Sequence, residues 1–305
     1  MQGSAAALTH ERANVTSTQL QQPPPNIAFE FVRSLAGELS AGKVDLPSFP
    51  EIAVRVRRVL SDPNSSIDQV VRVVGSEPAL AARLMRMSNS VSLNRSGRAV
   101  VELRTAINRI GYNMVRSASI SFAMAQIRNA NKLAGLEHYL NDLWQRSTVV
   151  AAFAYVLART CSRVNPDEAM LGGMMHGIGK LYVLTRAISH PELFSDRAML
   201  DGIINDWHAS IGKAILENWD FSEEMAEAVG EQDNHGRDEP AAADLRDVIA
   251  IAIVMAAHAA DSSGVEEALR GLPGARRLGL DQEKTRTVTQ QCAAEVTALS
   301  DALGA

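Results

Sequence analysis

Gly172-Gly173-Met174-Met175-His176-Gly177-Ile178-Gly179-Lys180 carries more information than any other stretch of this 305-residue chain. A lone histidine stands among small and apolar residues. Gly177, next to it, has no side chain with which to bind anything. Lys180 follows Gly179 at an expected helix start, where its charge opposes the helix dipole. Upstream, Asn165-Pro166 supplies a helix cap and a first helical position. Before that the apolar spacing predicts a long helix over 138–161. Downstream, helices are predicted at about 180–188, 196–218, 223–233, 242–261 and 281–303.

Towards the front the pattern is the same. A helix is expected over 27–41, then an apolar stripe of Ile52, Val56, Val59 and Leu60 ended by Asp62-Pro63-Asn64. Ser66 with Gln69 has the spacing of a capping box. Ser76 is expected to cap the next helix, with Pro78 in its first turn. Two further helices are predicted at about 101–110 and 112–129, separated by Gly111 at the end of the first. No alternating strand pattern runs longer than a few residues, and no internal repeat is found. The connections are mostly short, as in a compact bundle. Residues 1–26 are polar and close on Gln21-Gln22-Pro23-Pro24-Pro25, which predicts a disordered tail with a stiff stop.

Composition agrees with an α-rich fold. Hydrophobic residues make up 46% of the chain but aromatics only 5%, so the core must be built from Leu, Ile, Val, Ala and Met. Cys161 and Cys292 are too few for a disulfide framework or a thiolate zinc site. No secretory leader and no membrane-length apolar segment are visible, so a cytoplasmic location without a membrane role is expected. The net charge of −5 is unevenly spread. Residues 51–132 hold 13 Arg or Lys against 5 Asp or Glu, whereas residues 133–305 hold 14 against 26. A basic front half therefore meets an acidic back half, or else it faces an anionic partner.

Eight short motifs then resemble one family. They are Leu46-Pro47-Ser48-Phe49-Pro50, Ser76-Glu77-Pro78-Ala79-Leu80, Met87-Ser88-Asn89-Ser90 and Ala106-Ile107-Asn108-Arg109-Ile110-Gly111 in the front half. Leu143-Trp144-Gln145-Arg146-Ser147, the stretch around His176, His208-Ala209-Ser210-Ile211-Gly212 and Trp219-Asp220-Phe221 follow in order. Together they resemble the HDOD domains, bacterial regulatory relatives of the HD phosphohydrolases, over about residues 40–240. The resemblance implies an all-α, two-lobed helical bundle whose second lobe is HD-phosphohydrolase-like. The expected division is a tail at 1–26 and an HDOD domain at 27–240. Within that domain a basic first lobe covers about 27–132 and an HD-like second lobe about 133–240. Residues 241–305 are expected to add helices to the second lobe.

The same resemblance implies a degenerate metal site. An HD hydrolase holds its metal with a histidine, a His-Asp pair and a later aspartate, a donor set suited to Fe, Mn or Zn. Here Arg146 stands in the first histidine's place, and a guanidinium repels a cation. His176 remains, Gly177 replaces the aspartate, and His258 falls near the last position. No catalytic residue, no metal and no cofactor are therefore expected. Arg146, His176, Lys180, His208 and His235 are instead candidates for lining a vestigial pocket able to receive a small anion. His208 and His235 match positions where related domains carry histidine, while Asn234 stands where relatives often have another. His138 is expected to face solvent and His190 to lie in a loop.

Between residues 79 and 132, nine basic residues accompany one acid, Glu102. Arg83 and Arg86 are three apart on a helix face, and Arg95 and Arg98 lie in a loop; these four are the candidate interaction surface. The expected function is a non-catalytic signalling module acting through a regulatory protein partner. By family resemblance that partner belongs to cyclic-dinucleotide or two-component signalling, with its input arriving in trans. Two alternatives stay open at this level: a metal-dependent phosphohydrolase with a rebuilt site, and a nucleic-acid binder acting through the arginines. The sequence leaves the oligomeric state open.

Overall fold

The computed structural model describes residues 27–42, 51–90, 94, 97–128, 136–219, 221–237 and 242–303, and among these every regular element is helical. The molecule is a two-lobed, all-α bundle. No helix among the described residues is long and apolar enough to cross a membrane. Leu46 to Pro50 and Arg95, singled out above, lie outside the described residues.

The first lobe contains α2 (Glu51–Ser61), α3 (Ile67–Gly75), α4 (Pro78–Ser88) and α5 (Leu103–Arg128). Its core is aliphatic: Val56, Val70, Val74, Leu80, Leu84 and Ile107 are all fully buried. The capping box at α3 is present, with Ser66 Oγ accepting from the Gln69 N–H and Gln69 Oε1 accepting from the Ser66 N–H. Ser76 behaves differently from the expectation. It closes α3, its hydroxyl donating to the Val73 carbonyl, while Glu77 occupies the N-cap of α4 without a side-chain bond. Pro78 suffices there because its φ is already helical and it has no N–H to satisfy. Asn89 ends α4 by donating to the Met85 and Val100 carbonyls while accepting from the Val100 N–H. Gly111 breaks α5 with φ at +79°, a conformation that favours glycine, so the two predicted helices continue one another across a kink.

The second lobe is centred on α6 (Glu137–Cys161), almost wholly buried from Trp144 to Ala158 along its inner face. α7 (Pro166–Met175) and α11 (Leu245–Ala257) pack directly on it, and α8 (Ile178–Ala187), α9 (Arg197–Asn218) and α10 (Glu223–Gly230) complete the lobe, with α9 against α8 and α10, and α10 against α7 and α11. Asn165 caps α7 by accepting from the Asp167 and Glu168 N–H groups. Glycines set the closest approaches. A Cβ at Gly173 would stand 2.6 Å from Ala151 Cα on α6, and one at Gly179 would collide with the His208 carbonyl on α9. Beyond α11 come α12 (Ser262–Leu269), α13 (Pro273–Arg277) and α14 (Gln282–Leu303); the first two were not predicted. α14 lies along α6 and reaches α4 and α5 as well. α1 (Ile27–Ser40) packs against α9 and the 3-10 turn Pro191–Ser195, on the second lobe. Glu38 of α1 accepts from the Tyr182 hydroxyl and pairs with Arg186 on α8.

A buried ion network ties the segment after α10 to α11 and α13. Arg237 bonds both Asp244 oxygens at 2.8 and 2.9 Å and pairs with Asp247 at 2.9 Å, and Arg277 grips Asp247 at 2.6 and 2.8 Å. Burial pushes the Asp247 carboxyl up, but the Arg277 and Arg237 hydrogen bonds outweigh it and hold the group below the usual carboxylate range.

Candidate functional site

The turn between α7 and α8 places His176 at the end of one helix and Gly177 at the start of the next. His176 is 1% exposed, and its Nδ1 lies 2.6 Å from the Gly173 carbonyl one turn back. A carbonyl only accepts, so Nδ1 carries the proton and Nε2 presents a bare lone pair. That Nε2 is buried without a hydrogen-bond partner. Burial above all holds the His176 pKa down at about 4; the Gly173 bond opposes this, and Lys180, His208 and Arg146 add to it. His176 is therefore a neutral imidazole near neutral pH.

His208 comes from the facing helix α9 and is 3% exposed. Its Nε2 lies 3.1 Å from Asp233 Oδ2, leaving Nδ1 buried and unpartnered. The hydrogen bond from His208 holds the Asp233 carboxyl below its usual value, with Lys180 and His235 helping. His235 follows on the same loop, its Nδ1 also buried without a partner. Lys180, on the first turn of α8, is half-buried; burial lowers its pKa, Asp233 opposes that, and Arg146 adds to it. Arg146 lies exposed on α6 at the mouth of the cluster. Gln232 closes the back, donating to the His176 and Val229 carbonyls.

Lys180, His208 and Arg146 lie close enough to act on His176, and His235 joins them through Asp233; the two imidazoles His176 and His208 are deep and the two cations nearer solvent. Asp233 is the residue that sequence reasoning missed. Its signal in the sequence is its place two residues before His235, in the same loop. His258 does not join the group: it is exposed at the C-terminal end of α11, where it acts on Asp261. His138 is exposed and pairs with Asp142 at 3.3 Å, and His190 sits edge-on to Phe31.

The side chains present do not fit the divalent metal of the HD pattern. At Gly177, where that pattern has a carboxylate, a Cβ would stand 2.6 Å from Leu143 Cδ1 and 3.3 Å from Ser147 Oγ. An apolar side chain from α6 fills the space that a side chain at Gly177 would need. The Lys180 and Arg146 charges near His176 are cationic and disfavour a further cation there. Among the described residues, no three His, Cys, Asp or Glu side chains are grouped to hold a metal ion.

The arginines of the first lobe are divided between interior and surface. Arg83 is corrected from surface candidate to core residue: it is 5% exposed, with its guanidinium 5.9 Å from the Phe122 ring centroid. Being three apart, Arg83 and Arg86 lie at the inner and outer edges of one helix side, so only Arg86 is exposed. Arg98 is exposed too. Arg104 pairs with Asp68, Arg109 bonds the Ser88 and Arg98 carbonyls, and Arg57 stacks on Phe221 of the second lobe. Part of the basic surplus is therefore used inside the molecule.

The profile of the HDOD domain family matches residues 46–235. A solved structure from Shewanella amazonensis SB2B, described as a candidate metal-dependent phosphohydrolase, is 28% identical. It covers 88% of this chain and 99% of its own, with a TM-score of 0.68. An HDOD domain protein of unknown function from Geobacter sulfurreducens is 19% identical over 90% of this chain and 99% of its own, with a TM-score of 0.63. A candidate signal transduction protein from Marinobacter aquaeolei VT8 is 21% identical, covering 91% of this chain and 65% of its own, also at 0.63. An uncharacterised protein of Treponema pallidum (strain Nichols) is 22% identical over 222 residues, 68% of this chain and 41% of that protein. This chain thus spans less than half the length of that relative.

Proposed function

This chain belongs to the HDOD domain family, and from that premise we propose that it is a non-catalytic signalling module. It works by engaging a regulatory protein partner, in cyclic-dinucleotide or two-component signalling, and the pocket around His176 receives a small anion. The observation that supports this reading is Leu143, whose Cδ1 lies 2.6 Å from where a Cβ at Gly177 would stand. A hydrolase of that class needs the metal to make hydroxide near neutral pH, and here a methyl group stands in place of a ligand. What remains is suited to binding. Lys180 and Arg146 supply positive charge, and the lone pair on His176 Nε2 can accept a hydrogen bond from a protonated oxygen of the anion. Arg86 and Arg98, both exposed on the first lobe, are candidate contacts for an acidic partner.

The test combines metal content, hydrolysis and anion binding on the full chain. The expected result is no stoichiometric iron, manganese or zinc, and no turnover of p-nitrophenyl phosphate or its bis ester with any added divalent ion. Inorganic phosphate or pyrophosphate should bind saturably and lose affinity in Lys180→Gln. A stoichiometric metal that disappears in His176→Ala, together with turnover, would instead establish the phosphohydrolase reading.

A further inference from the structure

Where the lobes meet, α2 and α5 face α7 and the start of α10 across a cavity of about 240 Å³. None of the residues lining it belongs to the cluster around His176. Its first-lobe wall carries Arg57 and Arg116, and its second-lobe wall carries Asp167 and Glu168. Phe221 and the Ser222 hydroxyl border the same space.

Four observations mark this space as more than a packing gap. Arg116 Nε is buried and has no hydrogen-bond partner, a condition that native interiors rarely leave uncompensated. The two carboxylates are not needed as helix caps, because Asn165 already accepts from the Asp167 and Glu168 N–H groups. Burial pushes both carboxyls above their usual range; Glu224 raises Glu168 further, and Arg116 only partly offsets this. Across the cavity, the Arg57 guanidinium lies 5.9 Å from the Phe221 ring centroid, so a cation–aromatic contact already links the two lobes at its rim.

The charges select the occupant. A lone anion would meet two carboxylates, and a lone cation would meet two guanidinium groups. A molecule carrying both charges satisfies both walls at once. The volume is below the roughly 300–1,000 Å³ of pockets for drug-sized ligands, which leaves room for something the size of an amino acid. We propose that the interlobe cavity binds a small zwitterion, its anionic end on Arg116 and Arg57 and its ammonium end between Asp167 and Glu168. Because the two walls belong to different lobes, occupancy fixes one lobe against the other.

Calorimetric titration and thermal denaturation of the full chain test this. The probes are the protein amino acids, β-alanine and γ-aminobutyrate, with acetate and methylammonium as single-charge controls. The expected result is saturable binding of at least one zwitterion and of neither control. That binding should weaken about tenfold or more in Arg116→Gln and, separately, in Glu168→Gln, as loss of a charge-assisted hydrogen bond predicts. Glu168→Gln preserves shape and keeps the test independent if Arg116→Gln fails to fold. No binding by any probe at millimolar concentration overturns the proposal, as does binding that Glu168→Gln leaves unchanged.

Discussion

At the scale of single residues, Gly177 leaves no room for a side chain. Leu143 fills the space beside it, so an aspartate placed there would collide with an apolar side chain. Gly177→Asp should destabilise the protein by about 1–3 kcal/mol through overpacking, measured by urea denaturation, and should confer no metal binding. Adding Leu143→Ala should relieve the steric part of that loss. His176 makes a second prediction. Its folded pKa of about 4 lies below the 6.5 of a free imidazole, so the unfolded chain binds more protons between those values. Stability is then full above pH 6.5 and falls as the pH drops towards 4. Between pH 7 and pH 5 this one group should cost about 2 kcal/mol, and His176→Asn, which keeps a donor near the Gly173 carbonyl, should flatten the slope. Equal slopes in both proteins would contradict this. The histidines and Gly177 are legible in the sequence because both are matters of residue identity. The sequence could not expose Asp233, whose role depends on a loop folding back onto His208, nor the burial of Arg83, which depends on Phe122 of another helix.

At the scale of elements, glycine governs how helices meet. α8 and α9 touch so closely at Gly179 that an added methyl group would run into the His208 backbone. Backbone cannot yield as a flexible side chain does. Gly179→Ala should therefore cost about 3 kcal/mol or more and displace His208 from Asp233, read out as a lowered midpoint in denaturant and an altered His208 ring resonance. Gly202→Ala on the same α9, with nothing within 4 Å of the added carbon, is the control and should be neutral or stabilising. Most helices were legible because a buried stripe and a cap leave local marks, as at Ser66 and Asn165. α12 and α13 were not. They are 8 and 5 residues long, too short to show a period, and they are held by their neighbours: Val265 and Ala275 are buried in the shared core. At Ser76 a cap-forming residue ended one helix instead of starting the next, because only one residue separates α3 from the N-cap of α4.

At the scale of the whole molecule, charge and chain order cross between the lobes. The opposition of a basic front and an acidic back was visible in the sequence, and part of it is realised as Arg57 and Arg116 facing Asp167, Glu168 and Phe221. The position of α1 was not visible, since nothing local says that a helix will skip its neighbours in the chain. Its anchor is Glu38, which serves Tyr182 and Arg186 together. Glu38→Ala should cost about 1–3 kcal/mol by removing the acceptor facing a buried hydroxyl. In a Tyr182→Phe background the same substitution should cost clearly less, and a double-mutant cycle in denaturant measures the difference. The bond from Tyr182 to Glu38 spans 144 residues. During synthesis α1 is made before any of its docking surface exists. At roughly 5–20 residues per second its wait is on the order of ten seconds. Throughout that time Phe31 and Leu35, both buried in the finished protein, remain uncovered on a nascent chain, an apolar segment for a holdase chaperone to occupy until the second lobe leaves the ribosome.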